Sequence, residues 1–320
     1  MLKEGLPKPA MNLLRAGFVV AVLAFAWLSL RGRMDEVGDA LKDTSVPAAL
    51  GGLALVLLGL LITAQLWLRL MAWADGPLPQ RDGQAIFFIG QLGKYIPGSV
   101  WSIGAQADLA RKHQVPARAT VASGLLFLGY NVDTAVLVAS ISLLTGGLDS
   151  RWPAWVSLLA LIGSLVGLTP ALVRWAGTRI AGREVRISWV GTVEVAALMA
   201  GAWTAYGLAL VLLAPGLPWH DLVALGGAFA AAYAVGVVIV IAPAGVGARE
   251  TVFVLLLTPA LGVGPATALA LLARVVHTVA DTSLAAAWWA ATRRARLLPD
   301  RDHRSGAAAD RNVIADAGHP

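Results

Sequence analysis

The chain has 320 residues, 58% apolar and only 14% charged, with a formal net charge of +6 and no cysteine. Its mean hydropathy is +0.71, and soluble domains average ~25% charged residues, so no water-soluble fold could hide this much apolar surface; the solvent must be lipid. The missing cysteines exclude disulfides, thiolate metal sites and cysteine nucleophiles. The basic residues gather in short loops, the pattern of cytoplasmic loops in membrane proteins and not of a nucleic-acid-binding face.

Taken in order, the first apolar run is 13–30. Lys3 and Lys8 precede it, Arg15 lies at its start, and it ends at Arg31 and Arg33 with no small-residue cleavage site, so it reads as a retained helix and not as a signal peptide. A membrane-spanning helix needs ~20 mostly apolar residues. Further candidates lie at 48–73, 119–145, 153–175, 189–213, 222–242 and 264–292. Two other apolar stretches, 84–112 and 243–260, are interrupted. Residues 297–320 are small and polar without periodicity and are expected to form a disordered tail.

Lysine and arginine set the orientation. They cluster before the first run, at Arg69 and Arg81, at Arg111, Lys112 and Arg118, at Arg174, Arg179, Arg183 and Arg186, and at Arg293, Arg294 and Arg296. Both ends are therefore expected in the cytoplasm. Seven full crossings would put them on opposite sides, and an internal repeat suggests how the count resolves. Gly90, Pro97 and Val100 recur at a constant offset as Gly236, Pro243 and Val246. Asp133-Thr134 recurs as Asp281-Thr282. If 84–112 and 230–258 are both re-entrant hairpins, six crossings remain. The expected fold is then an all-α polytopic bundle over 1–296 with an inverted repeat, its halves at 48–145 and 189–292.

The interruptions carry the chemistry. A broken helix is tolerated in a bilayer only when packed in protein or lining a wet cavity. Pro97 and Pro243 fit the first turn of half-helices, whose N-termini present unpaired N–H groups and partial positive charge. Gly98, Gly245 and Gly247 let a ligand approach, and Lys94 and Arg249 add full charges. The sum suits an anion, most naturally a phosphate. Arg274, His277 and Asp281 fall at i, i+3 and i+7 on one face of the last helix, and Asp133 is similarly deep in its own span. Such charges face a bundle interior and mark function by default. Arg274 could instead pair with Asp281 or Asp133 and only fix packing. Glu194 and Gln65 are weaker candidates for the same cavity.

The motifs "GKYIPGSVW", "APAGVGARE" and "LLARVVHTVADTSLA" resemble the flippase-like membrane domain of lysylphosphatidylglycerol synthases, in one superfamily with archaeal dolichol-linked glycosylation membrane proteins. The resemblance covers approximately residues 10–295. It implies movement of a phospholipid or polyprenyl-phosphate-linked lipid between leaflets of the inner membrane. By matching motif positions it marks Lys94, Pro97, Gly98, Gly245, Gly247, Arg249, Glu250 and Arg274. The sequence departs from the family after the first motif, reading "WSIGAQADLARK" where many members carry an acidic residue and a distal arginine. Headgroup preference is therefore expected to differ. The 297–320 tail is too short to be the aminoacyl-transfer domain, so no lipid synthesis is expected from this chain, and no cofactor or metal is implied. A lipid-modifying enzyme or glycosyltransferase is the expected kind of protein partner. The alternatives are a proton-coupled transporter of a small organic anion, using Asp133, His277 or Asp281, and a non-transporting accessory subunit of a glycolipid pathway.

Overall fold

The structure is a computed structural model that describes residues 44–95, 101–148, 153–214, 221–239 and 247–297. The expected first span at 13–30, the motif residues Pro97, Gly98, Pro243 and Gly245, and the tail beyond 297 lie outside the described residues. Among those described there is no strand. Ten α-helices follow one another: α1 Val46–Trp73, α2 Gln80–Gln91, α3 Trp101–Ala110, α4 Ala117–Leu144, α5 Ala154–Gly167, α6 Pro170–Ala181, α7 Trp189–Leu213, α8 Leu222–Val238, α9 Ala248–Leu261 and α10 Val263–Leu297. The chain is an all-α polytopic membrane protein.

Helices α1, α4, α7 and α10 are each long and apolar enough to cross a bilayer. At 1.5 Å per residue, 28 residues reach about 42 Å, more than the ~30 Å hydrocarbon core. Local chemistry sets their ends. Ser45 caps α1 by accepting from the Ala48 N–H at 3.4 Å, and Ser188 caps α7 through the Gly191 N–H at 3.1 Å. Gly262, at φ +81°, makes the left-handed turn between α9 and α10.

The 153–175 run, expected as one span, is broken. Helices α5 and α6 meet at a 63° bend because Pro170 has no N–H to bond back to α5 and biases Thr169 away from helix. Both pieces pack along α4. Within the 222–242 run, α8 spans Leu222–Val238 and Ile239 is its C-cap.

Around the first interruption, α2 has 12 residues and α3 has 10, neither long enough to cross. They pack against each other with a 3-10 turn at Leu92–Tyr95 between them and the break. Glycine makes the approach possible: a Cβ on Gly93 would lie 2.6 Å from the Ser102 backbone nitrogen, and one on Gly90 would collide with Gln106. Around the second interruption, α8 and α9 pack on each other in the same way.

The packing partners follow a reciprocal pattern. Helix α1 packs on α7, α2 on α10, and α8 on α4, while α3 and α9 each pack on the long helix that follows them. One helix of each interrupted pair thus leans on a long helix distant in sequence, α2 on α10 and α8 on α4. Aromatic contacts tie the layers together, with Phe87 of α2 at 5.8 Å from Trp67 and 5.3 Å from Phe127.

Candidate functional site

A cavity of about 190 Å³ lies where these helices converge. Its wall includes Lys94, Arg249, Glu250, Arg274, His277 and Asp281, so both interrupted segments and the last long helix contribute charge to one space. The i, i+3, i+7 spacing on α10 does put Arg274, His277 and Asp281 on one face, and that face is the cavity wall.

Among the described residues the charges are arranged as two ion pairs and one cation outside any ion pair. Lys94, in the 3-10 turn, places its Nζ 2.6 Å from Asp281 Oδ2. Tyr95 donates its hydroxyl to the same oxygen at 2.8 Å. Asp281 is buried, and these two donors satisfy an oxygen that would otherwise be costly in the bilayer interior. Arg274 Nη1 bonds Glu250 Oε1 directly. The alternative partners expected for Arg274, Asp281 or Asp133, are therefore not the ones it takes. Periodicity selects a helix face, while the start of α9 brings Glu250 closer than either aspartate.

Arg249, the next cation, lies with its guanidinium carbon 4.5 Å from the Phe229 ring centre and 5.4 Å from that of Tyr233. No carboxylate forms an ion pair with it among the described residues. The two ring contacts favour a cation there and supply no countercharge of their own. His277 shares the ring with it: its centroid is 5.0 Å from Phe229 and 5.3 Å from Tyr206. Its Nδ1 lies 2.8 Å from the Ala273 carbonyl, so Nδ1 carries a proton and donates it there.

The second half-helix differs from the expected amide cradle. The described helix begins at Ala248, with Gly247 as its N-cap. The Gly247 N–H donates to Glu250 Oε2 at 2.7 Å, so the protein's own carboxylate occupies that amide and bridges it to Arg274. Gly247 has φ +83° and open space around a notional Cβ. Glycine is needed there for the backbone conformation.

Asp133 is elsewhere. It does not line the cavity; its side chain faces α5, where a Cβ on Gly167 would lie 2.5 Å from Oδ1. Glu194 is also outside, paired at 2.8 Å with Arg69 on the flank of α1 and α7, their side chains 38% and 58% exposed. Gln65 does not line the cavity.

Sequence reasoning missed Tyr95 and the aromatic wall of Trp203, Tyr206, Phe229 and Tyr233. A signal existed: Trp203 and Tyr206 are three apart and Phe229 and Tyr233 four apart, each pair on one helix face. Trp203 also donates its indole N–H to Thr134 at 3.0 Å, tying α7 to α4.

The cavity lies among the helices of a polytopic membrane protein, and its described wall carries Lys94, Arg249 and Arg274 beside Glu250, Asp281 and His277. The transmembrane region of lysylphosphatidylglycerol synthases matches residues 14–285, and the chain belongs to that family. No curated protein matches it.

Proposed function

We propose that the protein moves an anionic lipid between leaflets of the bacterial inner membrane, taking the headgroup phosphate into the central cavity while the tails stay in lipid. The observation that carries this reading is Arg249, a cation held against two aromatic rings with no ion pair among the described residues, facing the same cavity as Lys94 and Arg274. A phosphate there gains charge-assisted hydrogen bonds in a low-dielectric setting. At about 190 Å³ the cavity is smaller than the ~300–1,000 Å³ of sites that enclose a whole drug-sized ligand. It suits a headgroup and leaves acyl or prenyl chains outside.

The reciprocal packing of the two halves supports the inverted repeat, with 84–112 and 230–258 as re-entrant hairpins entering from opposite faces. Both termini are assigned to the cytoplasm. The protein acts without bond chemistry, as a phospholipid or polyprenyl-phosphate lipid carrier, beside a lipid-modifying enzyme or glycosyltransferase that makes or uses its cargo.

The test is reconstitution into liposomes containing a tail-labelled phospholipid or polyprenyl-phosphate lipid, with bleaching of the outer leaflet. Wild-type protein should expose inner-leaflet label, and Arg249→Met should slow exposure by tenfold or more. Equal rates in empty and protein-containing vesicles would overturn the reading. Uptake of a small organic anion into the lumen without lipid movement would replace it with the transporter alternative.

A further inference from the structure

We infer that the lipid taken by this cavity carries a single net negative charge: it is a phosphodiester with a small uncharged headgroup. The inference rests on the lipid-phosphate reading above and narrows it to one substrate class. Polyprenyl monophosphates, zwitterionic phospholipids and lipids with a further ammonium group all fall outside it.

The argument is a balance of charge. His277 spends its Nδ1–H on the Ala273 carbonyl, and its buried Nε2 meets no acceptor for a second proton among the described residues, so the charged groups of the described wall are Lys94, Arg249 and Arg274 against Glu250 and Asp281. Two of the cations are already matched inside the wall, Lys94 by Asp281 and Arg274 by Glu250. Tyr95 adds a hydroxyl donor but no charge. The net charge of one resides on Arg249, whose neighbours Phe229 and Tyr233 attract a cation with ring faces and contribute no countercharge. The stretches next to these elements in sequence, 96–100 and 240–246, contain no Asp, Glu, Lys or Arg, so they leave the balance unchanged.

In a desolvated space, any net charge remaining after binding is costly. A monoanionic phosphodiester brings the sum to zero. A dianionic monophosphate overshoots to a negative site. A zwitterion leaves Arg249 uncompensated, and a headgroup with net positive charge adds repulsion to it. The remaining polar wall is neutral, from Gln91, Ser102, Gln106, Asn131 and Thr278. Such groups exchange hydrogen bonds with hydroxyls and offer no carboxylate to an ammonium. The cavity volume of about 190 Å³ limits the headgroup to a short one.

The experiment compares four tail-labelled lipids in proteoliposomes with the full chain: phosphatidylglycerol, phosphatidylethanolamine, an aminoacyl ester of phosphatidylglycerol, and a polyprenyl monophosphate. Wild-type protein should move phosphatidylglycerol at least tenfold faster than each of the others. Arg249→Met, which makes the wall neutral, should shift preference toward phosphatidylethanolamine. Glu250→Gln, which releases the Arg274 charge, should shift it toward the monophosphate. A wild-type preference for any of the other three lipids overturns the inference, as does equal movement of all four. Equal movement leaves lipid transport itself standing. Movement of none overturns the transport reading and this inference with it. The wild-type ranking decides the matter even if a variant fails to insert.

Discussion

Lys94 Nζ and Asp281 Oδ2 stand 2.6 Å apart, joining the turn before the first helix break to the last long helix. Tyr95 completes the arrangement from the residue next to Lys94. A cation that looks poised for a ligand in the sequence is thus already engaged. Lys94 has a structural duty to Asp281 as well as a place on the cavity wall.

Lys94→Met should therefore destabilise the protein. Asp281 keeps the Tyr95 bond and Lys94 is only partly buried, so the loss is expected at about 2 kcal/mol, below the ~3–5 kcal/mol of a fully buried pair. Lys94→Met combined with Asp281→Leu should recover much of it, since no buried carboxylate is then left unpaired. Thermal unfolding in detergent measures both, and additive losses in the double variant would show that the pair is not coupled.

Arg274 and Glu250 separate stability from binding in another way. Arg274→Gln leaves Glu250 with the Gly247 amide alone and should lower the unfolding temperature. Adding Glu250→Gln should restore stability but not full lipid movement, because the phosphate then lacks the Arg274 hydrogen-bond donors even though Arg249 keeps the net charge of the wall. Restored transport in the double variant would make Arg274 a packing residue.

The first hairpin depends on glycine. Gly93→Ala forces a Cβ toward backbone atoms of Ser102, which cannot rotate away as a side chain would. A loss of about 3 kcal/mol is expected from such overpacking. Gly104→Ala has nothing within 4 Å of the new Cβ and should be neutral or slightly stabilising in its helix. Equal unfolding temperatures for the two variants would mean that α2 and α3 do not need this close approach.

Orientation is open to cysteine labelling, since the chain has no cysteine of its own. Glu184 is a good position, its side chain 76% exposed in the loop after α6. Ser188 is a poor one because it caps α7. Glu184→Cys should react only from the cytoplasmic side, as the surrounding arginines require, and Thr145→Cys only from the other. Labelling of Glu184→Cys from the outside would reverse the topology.

The sequence by itself determined the solvent, the long helices and the charged residues worth attention. Runs near 48–73, 119–145, 189–213 and 264–292 reappear as α1, α4, α7 and α10, because backbone in hydrocarbon must satisfy itself and a long apolar run has only the helix available. Lys94, Arg249, Glu250, Arg274, His277 and Asp281 stood out because a charge in such a run is too costly to be incidental. Only the tertiary structure decided who meets whom. Arg274 takes Glu250 and not Asp281, because periodicity fixes the face of a helix but not which neighbouring helix lies against it. Asp133 has the depth of a cavity residue yet turns toward Gly167 of α5, a choice made by the packing of α5 and α6 along α4. Helix-face spacing alone could not mark Tyr95, Phe229 and Tyr233 as site residues, for a related reason. An aromatic side chain in an apolar run looks the same whether it faces lipid or holds an arginine, and only the assembled bundle separates the two.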